Sequence, residues 1–236
     1  MKIYCLIPAF DETGNLIELS QRLTTVFRKN NITYKILFVI QGDKKGRELV
    51  KKMHVLNKRI DYIYYPKALG IGRAYNIAFN EVNGYWTHVL TMDADLNHQP
   101  EEFPKLLQAY KKTHSDLIIG SRFIQGGKFK DKRLWKIVTS RMVNLIINKI
   151  LDVSILDKTS GYRLIRSSLI IKIRNLLQEK GYPSYMELLF LTLKNGSTVY
   201  EVPITYVSRT WGKSKMGKLK TSIDYLMFLV KLIFYF

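Results

Sequence analysis

The strongest constraint on this chain is an alternation through its first half, where short apolar stretches alternate with segments whose apolar residues recur every three or four positions. Lys2 to Ile7, Tyr34 to Ile40, Ile60 to Tyr65, Tyr85 to Met92 and Leu117 to Gly120 read as strands. Between the first two, Glu12 to Asn30 sets Leu16, Leu19, Leu23, Val26 and Phe27 at helical spacing, with Asp11 or Thr13 available as a cap. Arg47 to Leu56, Gly70 to Val82 and Phe103 to Thr113 continue the pattern as helices. Such alternation predicts an α/β fold, a mostly parallel central sheet flanked by helices, with a nucleotide-type half ending near residue 122. Ligands of these sheets sit beyond the carboxyl ends of the strands.

The second half is basic and less regular. Gly126 to Arg133 reads as a glycine-rich basic loop, and Trp135 to Leu151 as a helix with Trp135, Val138, Met142, Leu145 and Ile146 on one side. Asp157 to Arg163 is a polar, turn-forming cluster; Ser168 to Lys180 and Ser184 to Lys194 are helical in spacing. Thr198 to Val207 alternates like strands around Pro203, and Arg209 to Lys220 is a basic loop. No repeat or linker divides the chain, so one domain is expected over 1–218, followed by an apolar or amphipathic C-terminal helix over 219–236. That tail carries Asp224 and Lys231 and falls short of the roughly 20 apolar residues of a span, which suits an interfacial position.

Charge narrows the partners. With 38 Lys and Arg against 19 Asp and Glu, the chain carries +19 and calls for a polyanion, whether nucleic acid, anionic membrane or phosphorylated substrate. No nucleic-acid motif accompanies the charge, so no nucleic acid is expected. The lone Cys5, in an apolar run, suits a core thiol and a reducing, cytoplasmic setting, and Pro8, Asp11 and Glu12 come too early for a signal peptide.

Chemistry gathers at Thr91 to Pro100. Asp93 and Asp95, separated by one residue where a strand gives out, can hold a divalent cation and leave places for phosphate oxygens. Capping the next helix is the alternative reading. Asn97 can add a neutral carbonyl; His98 is a loop residue, because the 4 histidines show no zinc spacing. Gly70-Ile71-Gly72 lacks the third glycine and the Lys-Ser/Thr of a P-loop, and packing explains it. Arg209 and Lys215 flank Ser214 in a loop that can fold over a diphosphate or lie solvated. Taken singly, Arg122, Lys136, Ser140 and Arg163 are ordinary polar residues.

Together the motifs form an ordered set. Pro8-Ala9-Phe10-Asp11-Glu12 with Asn15, Asp93-Ala94-Asp95-Leu96 with Pro100-Glu101, Gly120-Ser121-Arg122, Ser140-Arg141 with Asn144, Asp157 to Arg163, Glu201-Val202-Pro203-Ile204, and Arg209 with Ser214-Lys215 follow one another over nearly the whole chain. In that order the chain resembles family 2 glycosyltransferases, specifically those similar to dolichyl-phosphate mannose synthase. The resemblance implies a GT-A fold and inverting transfer of a hexose, mannose or glucose, from a nucleotide sugar to a polyprenyl phosphate at the cytoplasmic membrane face.

It further implies roles for residues. Pro8, Phe10, Glu12 and Gln41 would line the donor pocket, and Asp93, Asp95 and Asn97 would bind Mg2+ or Mn2+ and the diphosphate. Arg209 and Lys215 would close on the pyrophosphate. Arg122, Lys136 and Ser140 would meet the acceptor phosphate. Asp157 is either a base or acceptor-orienting group or a turn-stabilising residue, and Glu187 either faces the site or supports it. Where the family has an Asp-Asp-Gly-Ser turn, this chain has Ile40-Gln41-Gly42-Asp43, and an amide cannot reproduce a carboxylate. The donor is therefore open between GDP-mannose, UDP-glucose and others. Two further readings remain at this stage: the same fold acting on a soluble sugar or protein, and a non-catalytic basic protein binding an anionic membrane surface.

Overall fold

The computed structural model describes all residues except 43, 131–133, 152, 209–217 and 236, and within its helices leaves out the side chains of 134–136, 139, 149–151, 218–220 and 233–235. In chain order the elements are β1 (Lys2–Phe10), α1 (Leu16–Lys29), β2 (Thr33–Gln41), α2 (Lys44–Leu56), β3 (Ile60–Tyr65), α3 (Ile71–Asn80), β4 (His88–Thr91), α4 (Phe103–Thr113) and β5 (Leu117–Ser121). They continue with β6 (Lys128–Lys130), α5 (Leu134–Leu151), β7 (Arg163–Arg166), α6 (Ser167–Ile173), α7 (Ser184–Lys194), β8 (Val199–Pro203), β9 (Thr205–Val207) and α8 (Lys218–Tyr235).

The main sheet has the order β3-β2-β1-β4-β7-β5-β8, and β6 pairs with β9 apart from it. Its pairs are parallel except those of β7, which runs antiparallel to both β4 and β5. The α/β fold expected from the alternation is the observed one. Strand β7 went unread because Arg163-Leu164-Ile165-Arg166 is too short for a period to register, and it lies where a polar turn was expected to lead straight into a helix.

Both faces of the sheet are covered, which explains the unbroken apolar run of β1. Ile3, Cys5 and Ile7 meet Leu19, Leu23 and Phe27 of α1 and Phe103 of α4 on one side. Tyr4 and Leu6 meet Ala74, Ala78 and Phe79 of α3 on the other. Burial pushes the Cys5 thiol pKa up, as befits a core residue rather than a nucleophile.

A third cluster joins α5, α7 and α8 through Val143, Ile147, Met186, Phe190, Tyr225, Phe228, Leu229 and Leu232. It decides which side of α5 is buried. Val138, Met142, Leu145 and Ile146 are 38–59% exposed, whereas Asn144 is buried, its Oδ1 accepting the Lys158 N–H at 2.7 Å. Helix α8 likewise leaves Ile223, Leu226, Met227 and Val230 exposed while burying Phe228 and Leu232, so its described residues are apolar on both sides. Among the described residues no helix is long and apolar enough to cross a membrane.

Candidate functional site

Strand β1 leads into α1 on one face of the sheet, and its other neighbour, β4, is reached through α3 on the opposite face. The carboxyl ends of β1 and β4 therefore flank a topological switch point, where an open α/β sheet has its crevice. A cavity of about 730 Å³ opens there. Pro8 and Phe10 from β1, Glu12 from the following turn, Gln41 from the end of β2, and Asp93 and Asp95 beyond β4 all line it. The expected donor residues of the described chain thus come together in one cavity; Arg209 and Lys215 lie outside the described residues.

The acidic loop is held from several sides. Asp95 Oδ1 accepts the Asn97 N–H at 3.1 Å in an Asx-type turn, with the intervening Leu96 in the left-handed region at φ 57. Asp93 Oδ1 accepts the Tyr185 hydroxyl at 2.9 Å. Asn97 is fully buried and donates through Nδ2 to the Tyr206 hydroxyl, and its buried Oδ1 has no hydrogen-bond partner among the described residues. His98 stacks on Tyr162 and meets Tyr206 edge-on, with Nδ1 3.8 Å from Asp93 Oδ2. Burial pushes its imidazole down to about 4, so the ring is neutral beside the carboxylates.

This donor set suits a hard divalent cation: carboxylates plus an orphaned amide carbonyl are oxygen ligands, and Mg2+ or Mn2+ takes few of them from protein when phosphates complete the shell. Among the described residues no group of three or more His, Cys, Asp or Glu can hold a metal by itself. Such an ion would therefore depend on the diphosphate for the rest of its coordination.

Gln41 has a defined orientation. Its Oε1 accepts the Leu69 N–H at 2.8 Å, and since a backbone N–H cannot accept, Nε2 is what the amide retains to offer a ligand. The facing wall is the segment 178–182, which approaches α3 so closely that a Cβ on Gly72 would lie 2.2 Å from the Glu179 carbonyl oxygen. Gly72 is a packing glycine, as its sequence context suggested, whereas Gly70, at φ 91, also lines the cavity. Glu187 supports this wall by accepting the N–H groups of Gln178 and Glu179, each at 2.9 Å. Lys231 of α8 pairs with Glu179 at 2.6 Å, and Thr221, Asp224 and Met227 of the same helix also line the cavity.

Of the expected acceptor-side residues, Arg122 is paired with Asp157. Arg122 Nε and Nη2 each donate to Asp157 at 2.7 Å, and Arg122 N donates to it at 2.9 Å. The guanidinium carbon lies 4.4 Å from the Phe129 ring centroid, with Phe123 and Tyr206 also against it. Burial pushes the Asp157 carboxyl up, but the Arg122 charge and hydrogen bonds outweigh it and hold the group below the usual carboxylate value. That arrangement suits orientation of Arg122 better than proton abstraction. Ser140 sits half-buried on α5, and Lys136 lies on the same helix with its side chain outside the described residues. None of Arg122, Asp157 and Ser140 is among the residues that line the cavity.

Sequence reasoning did not single out Tyr185, Tyr206 or the α8 residues of the cavity. Aromatic residues in apolar helices and strands look like ordinary core, and only the tertiary approach aims their hydroxyls at the acidic loop.

Known proteins bear on this arrangement in two ways. The chain is 33% identical to the dolichol-phosphate mannosyltransferase of Pyrococcus furiosus over 99% of its own length, and spans 64% of that protein. It is 35% identical to the polyprenol monophosphomannose synthase of Mycolicibacterium smegmatis, over 90% of this chain and 80% of that one. Its fold matches that of glucosyl-3-phosphoglycerate synthase from Mycobacterium tuberculosis in complex with Mn2+, UDP and phosphoglyceric acid, with a TM-score of 0.68 at 13% identity, covering 98% of this chain and 78% of that one. The model of glycosyl transferase family 2 matches residues 4–174, which carry the strands that flank the switch point and the acidic loop, and the chain belongs to that family.

Proposed function

We propose that this protein is a metal-dependent, inverting glycosyltransferase that moves a hexose from a nucleotide diphosphate sugar to a polyprenyl phosphate at the cytoplasmic face of a membrane. The observation that carries this reading is the convergence of Pro8, Phe10, Glu12, Gln41, Asp93 and Asp95 on one cavity at the carboxyl edge of the sheet. The names of the Pyrococcus and Mycolicibacterium relatives support the acceptor class, and the Mn2+ and UDP in the Mycobacterium structure support the donor and ion.

The chemistry asks little of a general base. A phosphate monoester, with a second pKa of about 6, is already largely ionised near pH 7. Its oxygen forms the new bond to the anomeric carbon as the bond to the donor diphosphate breaks on the opposite side, which inverts the centre and releases the nucleoside diphosphate. Asp93, Asp95 and Asn97 would hold the divalent cation. Once bound, that ion neutralises charge on the departing diphosphate. Arg122, oriented by Asp157, together with Lys136 and Ser140 would bind the acceptor phosphate, and Arg209 with Lys215 would close over the diphosphate. Positioning, rather than proton transfer, is the protein's main contribution.

Exposed apolar side chains support a membrane-surface location. The stripe of Val138, Met142, Leu145 and Ile146 on α5 and that of Ile223, Leu226, Met227 and Val230 on α8 are exposed on helices that share one apolar cluster. Basic residues near an anionic leaflet add about 1 kcal/mol each, and the chain carries +19.

The test is a thermal-shift panel of UDP, GDP and their sugars with Mn2+ or Mg2+, followed by a transfer assay with polyprenyl phosphate. A nucleotide that binds the folded state raises the melting temperature by mass action. Asp93→Ala and Asp95→Ala should each lose transfer by about 100-fold or more, the scale of removing a key electrostatic group. Full transfer by either variant, or no response to any nucleotide, would sink the proposal.

A further inference from the structure

We infer that Tyr185 is a positioning residue that sets the Asp93 carboxylate for a divalent cation, an inference that rests on the metal-assisted reading above. Tyr185 lies on α7, past residue 174, where the family match ends. Its hydroxyl reaches Asp93 Oδ1 at 2.9 Å from a buried ring.

The ring is fixed from several directions. Tyr75 meets it edge-on at 5.9 Å, and the Arg163 guanidinium carbon lies 5.5 Å from its centroid. Arg163 also anchors the helix by donating from Nη1 to the Tyr185 carbonyl at 2.6 Å. Gly161 backs the phenol so closely that a Cβ there would lie 2.7 Å from the Tyr185 oxygen. The Gly161 carbonyl in turn accepts the hydroxyl of Thr91, the last residue of β4, at 2.8 Å. The loop that carries Asp93 and the phenol that holds it are thus both referred to the end of the same strand.

A phenol hydroxyl is a donor, and a carboxylate oxygen is its acceptor. Engaging one carboxylate oxygen fixes the carboxylate plane and hence the direction of the other oxygen. Groups of this kind orient metal ligands, and removing them typically costs 10- to 100-fold in metal affinity.

The test is a Mn2+ titration followed by the electron paramagnetic resonance signal of free Mn2+, with UDP or GDP present, on the wild type, Tyr185→Phe and Gly161→Ala. Metal-free nucleotide binding is measured by calorimetry on the same proteins. Tyr185→Phe keeps the ring but not the hydroxyl; Gly161→Ala keeps the hydroxyl but crowds it off Asp93. Both should weaken Mn2+ binding by roughly 10- to 100-fold and leave metal-free nucleotide affinity near the wild-type value. If Tyr185→Phe binds Mn2+ within about twofold of wild type, or if metal-free nucleotide affinity falls in parallel, the positioning role is overturned while the metal reading stands. Absence of Mn2+ uptake by the wild type with either nucleotide overturns the metal reading and the inference together.

Discussion

Replacing Asp157 by asparagine separates the charge of the buried pair from its packing. The amide fits the same space, but it offers one acceptor oxygen and sets an NH2 against the Arg122 donors that now bond to the carboxylate at 2.7 Å. Arg122 is only 8% exposed and ringed by Phe123, Phe129 and Tyr206, so water replaces the lost carboxylate oxygen poorly. Removing one partner of a buried pair costs about 3–5 kcal/mol. For a chain of this length each kcal/mol shifts the melting temperature by about 2–4 °C, which predicts a fall of roughly 6–20 °C. Urea and thermal denaturation at a series of pH values provide the measurement. The Arg122 charge holds the folded Asp157 pKa below the usual carboxylate value, so its contribution is complete above that value and is lost as pH falls through the folded pKa. The gap between wild type and Asp157→Asn should stay constant from about pH 8 to pH 5 and close only in strong acid. Combining Arg122→Met with Asp157→Leu should recover much of the loss, because no unpaired charge remains. A gap under about 2 °C, or a double variant no better than the single, would refute an electrostatic origin.

Two other outcomes are expected. Gln41→Glu retains an acceptor for the Leu69 N–H and turns the other end of the side chain from donor to acceptor; titration calorimetry should show the UDP-to-GDP affinity ratio moving by about tenfold, the scale of a charge-assisted hydrogen bond. An unchanged ratio would mean that Gln41 does not touch the base. Met142→Ser, Leu145→Ser and Leu226→Ser together should leave the melting temperature within about 2 °C, since all are exposed, yet reduce flotation with anionic liposomes by at least about tenfold. Undiminished flotation would assign membrane binding to charge alone.

Much of this molecule could be read from local pattern. The unbroken apolar run of Lys2 to Ile7 and the helical period of Glu12 to Asn30 are set by which faces must be buried, so β1, α1 and a mostly parallel sheet were legible from the sequence. Asp93 and Asp95 were legible as well, because two carboxylates just past an apolar strand fall on the rim of such a sheet by topology alone. Contacts between residues far apart in the chain were not. Nothing local to Tyr185 points to Asp93, 92 positions away, and nothing local to Asp157 pairs it with Arg122 at 35. The apolar stripe of α5 was visible as a stripe, but whether it faced core or solvent depended on Val143 and Ile147 reaching α8 and on Asn144 binding Lys158. Local sequence sets the period of an element and the chemistry it carries. Which face is buried, and which hydroxyl reaches which carboxylate, are decided when distant segments exclude water from the space between them.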